Sequence, residues 1–214
     1  MNVYLYQNNT EKILKNIYIG EYKWTVQTFD FQNNWSLNWT AVSVYWQPNY
    51  VTWEWWTIWT SYTALYQSAI KPPTSVFGGT LKKIKIWMYK WIVWSSYPPD
   101  NHAVGAWMSS INSSLNPCVL YWTNQWSWWI NLYDGSNHVT TWVDITWEIT
   151  QEYIMEDNGN LTFIINWTYT YNLWNYATIF KDIWDNQTFG IWIGRWRANN
   201  GDIYVRKVEI TTIE

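Results

Sequence analysis

The sequence predicts an all-β protein, an antiparallel two-sheet sandwich with a short β segment at its N-terminus. Three observations predict it. Apolar and polar residues alternate with a period of two in most apolar segments, turn residues recur between those segments, and no stretch offers a long amphipathic helix. The nearest helical candidate, Thr10 to Asn16, is too short to stand alone. A length of 214 residues suits one sizeable sandwich and leaves ample chain to bury a core.

In chain order, Val3 to Tyr6 and Ile13 to Gly20 are two short apolar pieces around Gln7-Asn8-Asn9-Thr10. They form a hairpin-like unit too small to fold alone, so residues 1–24 read as an attachment segment and 25–214 as the main domain. An equally good reading makes them the first strand pair of that domain. Phe29-Asp30-Phe31 opens the domain proper. Lys83-Ile84-Lys85-Ile86-Trp87-Met88 alternates as a half-buried strand does. Gln151 to Met155 and Leu161 to Ile165 flank a turn at Glu156-Asp157-Asn158-Gly159-Asn160. A second hairpin leads through Asn166-Trp167 into Thr168-Tyr169-Thr170-Tyr171. The closing stretch Asp202 to Ile210 slips its alternation near Arg206 and Lys207, which predicts a bulge. Pro72-Pro73 and Pro98-Pro99-Asp100 punctuate loops.

Composition narrows function. Thirteen Lys and Arg against 16 Asp and Glu provide no broad positive field, which disfavours nucleic acid as a partner. No apolar run is long enough to insert into a bilayer, and Met1 to Tyr6 lacks the basic and apolar parts of an export leader. Cys118 has no partner for an internal disulfide and reads as a small buried apolar residue.

The anomaly is 23 tryptophans beside 9 glycines. Many of the tryptophans stand where turn chemistry wants glycine: Asn34-Trp35, Asn38-Trp39 and Asn166-Trp167 each place an indole at the glycine position of an Asn-Gly hairpin turn. Trp53, Trp55, Trp56 and Trp59 crowd one stretch, and Trp126, Trp128 and Trp129 another, with the spacing of glycine-rich loops. Together the two residue types make up about 15% of the chain, against a usual glycine share of about 7%. The simplest mechanism is a gene whose UGA codons mean glycine, written out with a table in which UGA means tryptophan. The rival reading takes the indoles as a platform for stacking sugars. It explains their number but not their preference for turns.

With glycine read at Trp167, Trp174, Trp192 and Trp196, the stretch Leu161 to Ile210 resembles the closing third of a concanavalin A-like lectin or laminin-G-like jelly roll. The matching parts are the strand and turn Phe163 to Trp167, the strand Phe189-Gly190-Ile191-Trp192-Ile193-Gly194, and the loop Asn199-Asn200-Gly201-Asp202 leading into a closing strand. Phe29-Asp30-Phe31 fits the first strand of that family. Ile17-Tyr18-Ile19-Gly20 also resembles the short segments that precede receptor-binding or decoration domains in phage virion proteins. The resemblance implies a jelly-roll β-sandwich that recognises carbohydrate or a cell-surface receptor, sometimes with calcium, on a virion or extracellular surface. Homo-oligomers, trimers especially, are common among such display proteins.

The same superfamily includes glycoside hydrolases, which need two carboxylates across the scissile bond. Glu148 and Glu152 share a strand face, but they lie four apart and lack the intervening aspartate; Asp144 stands four further back. Alternation with Ile145, Ile149 and Tyr153 accounts for them as a solvated strand face. The expectation is therefore a non-enzymatic recognition domain, with a hydrolase of the same fold and a purely structural decoration subunit as alternatives. Candidate binding residues are Asp134, Asn137 and His138, which gather a carboxylate, an amide and an imidazole after the aromatic run containing Trp128 and Trp129. Asp100 and His102 form a second such group. Both are equally explained as turns, Asp134-Gly135 being a strong turn former. Asp157, Asn158, Asn160, Asp182, Asp185 and Asn186 could supply some oxygens to calcium, but no loop spacing defines a site, so no cofactor is expected.

Overall fold

The protein is described here from a computed structural model covering residues 4–5, 15–19, 22–31, 39–43, 56–58, 66–92, 103–112, 119–121, 129–133, 138–144, 148–196 and 201–214. The strands in chain order are β1 (Tyr4–Leu5), β2 (Lys15–Ile19), β3 (Tyr22–Asp30), β4 (Thr40–Ser43), β5 (Trp56–Ile58), β6 (Tyr66–Lys71), β7 (Thr80–Ile92) and β8 (Ala103–Ser110). They continue as β9 (Val119–Tyr121), β10 (Trp129–Tyr133), β11 (His138–Asp144), β12 (Glu148–Met155), β13 (Leu161–Ile165), β14 (Tyr169–Leu173), β15 (Phe189–Trp196) and β16 (Gly201–Ile213). Among the described residues one α-helix, α1 (Tyr176–Asp185), interrupts them.

The strands build an antiparallel sandwich. One layer is a nine-stranded sheet in the order β1-β2-β3-β16-β7-β12-β13-β14, with β5 also paired to β16. The other contains the four-stranded sheet β4-β6-β15-β8 and the three-stranded sheet β11-β10-β9, with β9 alongside β8. The expected hairpins are present. Gln151 to Met155 pairs with Ile165 to Leu161 residue for residue, and Leu161 to Ile165 pairs with Leu173 to Tyr169. The slip near Arg206 is a bulge between Val205 and Lys207 in the β16–β7 pairing. Position 24 falls inside β3, which pairs with β2 on one side and β16 on the other.

Alternation decides which side chains meet between the layers. Ile84, Ile86 and Met88 of β7 face inward with Ile149, Tyr153 and Met155 of β12, Leu161, Phe163 and Ile165 of β13, and Val208 and Ile210 of β16. Ile70, Met108, Phe189 and Ile191 meet them from the second layer. Aromatic contacts tie the core together, with Tyr153 and Phe163 centroids 4.8 Å apart and Tyr153 and Phe180 5.9 Å apart. Gln151, also buried, accepts a 2.8 Å hydrogen bond from the Tyr153 hydroxyl.

The helix is short, and the nearest helical candidate in the sequence, Thr10 to Asn16, is a different segment. Ala177, Phe180 and Trp184 recur three and four residues apart and are its buried side chains, the pattern of an amphipathic face. Ten residues carry too little intrinsic stability to stand out in a strand-rich sequence; packing against β7, β8, β12 and β15 holds this helix. Trp184 is fully buried, lies 4.8 Å from Phe77, and donates from Nε1 to the Gly79 carbonyl at 3.2 Å.

Candidate functional site

Of the residues predicted to bind, Trp129 and His138 fall within described strands, whereas Asp100, His102, Trp128, Asp134 and Asn137 lie outside the described residues. Trp129 opens β10 and His138 opens β11, and the two strands pair antiparallel. Tyr133 sits opposite His138 at the 134–137 connection, while Trp129 sits opposite Asp144. Four strand steps are about 14 Å, so the register puts Trp129 and His138 at opposite ends of one hairpin. His138 therefore stands at the end of the pair nearest the 134–137 connection, and Trp129 at the far end.

Glu148 and Glu152 do share one face of β12, the outer face of the nine-stranded sheet. Their surroundings differ from the solvated strand face expected of them. Glu152 is buried, with Lys83 Nζ 2.8 Å from its Oε2 and Lys85 Nζ 2.8 Å from its Oε1. The Lys85 contact is a charge contact rather than a well-directed hydrogen bond. Register causes the arrangement: Lys85 is directly opposite Glu152 on one side and Glu209 on the other. Burial pushes the Glu152 carboxyl up, but its contacts with the ammonium groups of Lys83 and Lys85 prevail and hold it below the ordinary value of 4.5. Glu148 is half-buried, its Oε1 3.4 Å from Arg206 Nη1.

Indoles roof this charged row. Lys85 Nζ lies 3.3 Å from the Trp167 ring centroid and 4.7 Å from that of Trp87, and Lys207 Nζ lies 4.3 Å from Trp87. Lys207 also meets Glu209 at 2.8 Å. Three ammonium groups and two carboxylates thus form a connected ladder, with each carboxylate at an ammonium and every ammonium at a carboxylate. Such a ladder orders a sheet face and presents a flat ring edged by positive charge. Asp144 ends β11 in a different sheet and does not extend the Glu148–Glu152 row. The charge pattern was visible in the sequence, but which lysine faces which glutamate is a matter of register.

Three of the residues considered for calcium have other engagements. Asp157 pairs with Lys82, which holds its carboxyl below the usual range, Asn158 Oδ1 accepts from the Asn160 amide at 2.9 Å, and Asn160 Oδ1 accepts from the Asn175 amide at 3.3 Å. Among the described residues no group of three or more His, Cys, Asp or Glu side chains converges as a metal site.

No protein-family model and no curated protein matches the chain. Solved structures do match in fold. A winged bean acidic lectin complexed with methyl-α-D-galactose aligns at TM-score 0.52 and 9% identity, covering 88% of this chain and 99% of the lectin. An apo Crh5 transglycosylase aligns at TM-score 0.52 and 12% identity, covering 87% and 84%. A structure from work on endo-acting O-glycanases of the human gut microbiota that initiate mucin breakdown aligns at TM-score 0.50 and 11% identity, covering 81% and 91%. The chain shares with them a two-sheet antiparallel β-sandwich of the jelly-roll kind. At these identities the likeness is one of fold.

Proposed function

We propose that this chain is a non-catalytic recognition domain that binds a glycan or a glycosylated cell-surface receptor, displayed on a virion or another extracellular surface. The observation that carries the reading is the state of the β12 carboxylates. A glycoside hydrolase needs one carboxyl raised to act as an acid and a second free to act across the bond. Here Glu152 is held low by two lysines and Glu148 is paired with Arg206, so the one carboxylate pair that the sequence offered is committed to ion pairing.

Sharing a sandwich with a galactoside-complexed lectin and with glycan-processing enzymes supports a glycan as the ligand class. The segment Asp134 to His138, between β10 and β11 in the chain, is the preferred contact region: a carboxylate, an amide and an imidazole can each take part in hydrogen bonds to sugar hydroxyls. The test is a glycan array probed with the full chain, followed by Asp134→Ala and His138→Ala variants of any binder and a product assay on the retained glycans. Binding that falls at least tenfold in the variants, with the glycan intact, is the expected result. Cleaved product would establish the hydrolase alternative. Retention of no glycan at high protein concentration would leave the structural-subunit reading in its place.

A further inference from the structure

Two tryptophans have backbones that tryptophan scarcely adopts. Trp142 has φ 58° and Trp167 has φ 60°, within the left-handed region where a bulky side chain is a steric outlier. Both indoles are largely exposed, at 69% and 70%, so neither recovers the burial that would offset the strain.

Each belongs to a local structure that calls for glycine. Asn166 (φ 46°) and Trp167 are the two central residues of the β13–β14 turn, which is closed by the Thr168 amide donating to the Ile165 carbonyl at 2.9 Å. Positive φ at both central positions defines the type I′ hairpin turn, for which Asn-Gly is the preferred pair. Trp142 lies in a bulge: the step from 129 to 131 on β10 spans 144 to 140 on β11, and bulges commonly place glycine at the left-handed residue. Trp39, Trp184 and Trp192 contrast with them, being buried, and Trp184 and Trp192 also donate from their indole nitrogens to backbone carbonyls. None of those three has a positive φ.

We infer that residues 142 and 167 are glycine in the protein as its own cell makes it, each encoded by a UGA codon that this cell reads as glycine. Composition raised the idea for the chain as a whole; backbone geometry now assigns it to two positions independently of any residue count. The consequence is local and concrete. Glycine at 167 removes the ring 3.3 Å from Lys85 Nζ and opens the Lys83–Glu152–Lys85 row to water. The indole at 167 is then struck from any set of sugar-stacking residues. The inference stands whether or not the domain binds glycans.

The first test reads the two codons in the gene. UGA at both is expected, and UGG at either overturns the inference for that position. The second is peptide mass spectrometry of natively produced protein across 138–144 and 161–171. Glycine masses are expected, and tryptophan masses overturn the inference even where the codon is UGA. A third uses recombinant protein made with a standard code: Trp142→Gly and Trp167→Gly should each raise the folding equilibrium constant roughly five- to thirtyfold, the release of about one residue's left-handed strain. A lower folding constant in both variants would show that the indoles are needed where they stand, against the inference.

Discussion

Replacing Glu152 with glutamine would remove the one charge that Lys83 and Lys85 share. Glu152 and Lys85 are both buried, at 2% and 4% exposure, whereas Lys83 reaches solvent. The variant leaves the Lys85 ammonium inside the sheet face opposite only Glu209, which Lys207 already engages. Breaking a buried pair from one side costs about 3–5 kcal/mol because the remaining charge stays desolvated. With a urea slope of about 2–3 kcal/mol/M for a chain of this size, the unfolding midpoint should drop by roughly 1–2.5 M at pH 7. Equilibrium urea denaturation followed by far-UV circular dichroism reads this directly. The same substitution in a Trp167→Gly background should cost less, falling toward the ~1 kcal/mol of a solvated pair, since the indole that covers Lys85 is gone. A Glu152→Gln midpoint within about 0.5 kcal/mol of the parent would refute the reasoning, as would an equal cost in both backgrounds.

Acid should expose the same interaction. The Glu152 carboxyl is depressed in the folded state, so its contribution is complete above its ordinary value of 4.5 and is lost as pH falls below that through the folded-state value; the stability gap between parent and Glu152→Gln should close over that range in pH-dependent denaturation. Joint replacement by Lys85→Met and Glu152→Leu should be neutral or stabilising, by up to ~4 kcal/mol, in the same urea assay. Gly79→Ala should destabilise by about 1–2 kcal/mol or more by thermal melting, because Gly79 has φ +65° and an added Cβ would stand 2.7 Å from the Ile213 carbonyl oxygen. Phe163→Ala, which removes a fully buried ring packed against Tyr153, should cost about 3–5 kcal/mol in urea.

Strand alternation is local, and it was legible. Ile84, Ile86 and Met88 could be assigned to one face of a strand from their spacing, and the two hairpins between Gln151 and Tyr171 from the turn residues between apolar runs. The bulge near Arg206 showed as a break in alternation. The helix did not show, because ten residues whose buried stripe includes Trp184 are held by tertiary packing rather than by their own propensity. The candidate site was legible in part. That His138 and Trp129 stand at opposite ends of the β10–β11 pair depends on the two strands pairing along their length, and Asp100, His102, Trp128, Asp134 and Asn137 lie outside the described residues.

Sequence by itself determined the all-β class, the inward residues of the central strands and the turns between them, since side chains two apart share a face whatever the fold. Tertiary structure alone decided the partners. That Lys85 stands between Glu152 and Glu209 follows from β7 lying between β12 and β16, strands more than fifty residues away along the chain. A one-residue slip in either pairing would turn these charges to the opposite face, so the carboxylates' chemistry was fixed by register, which no local pattern records.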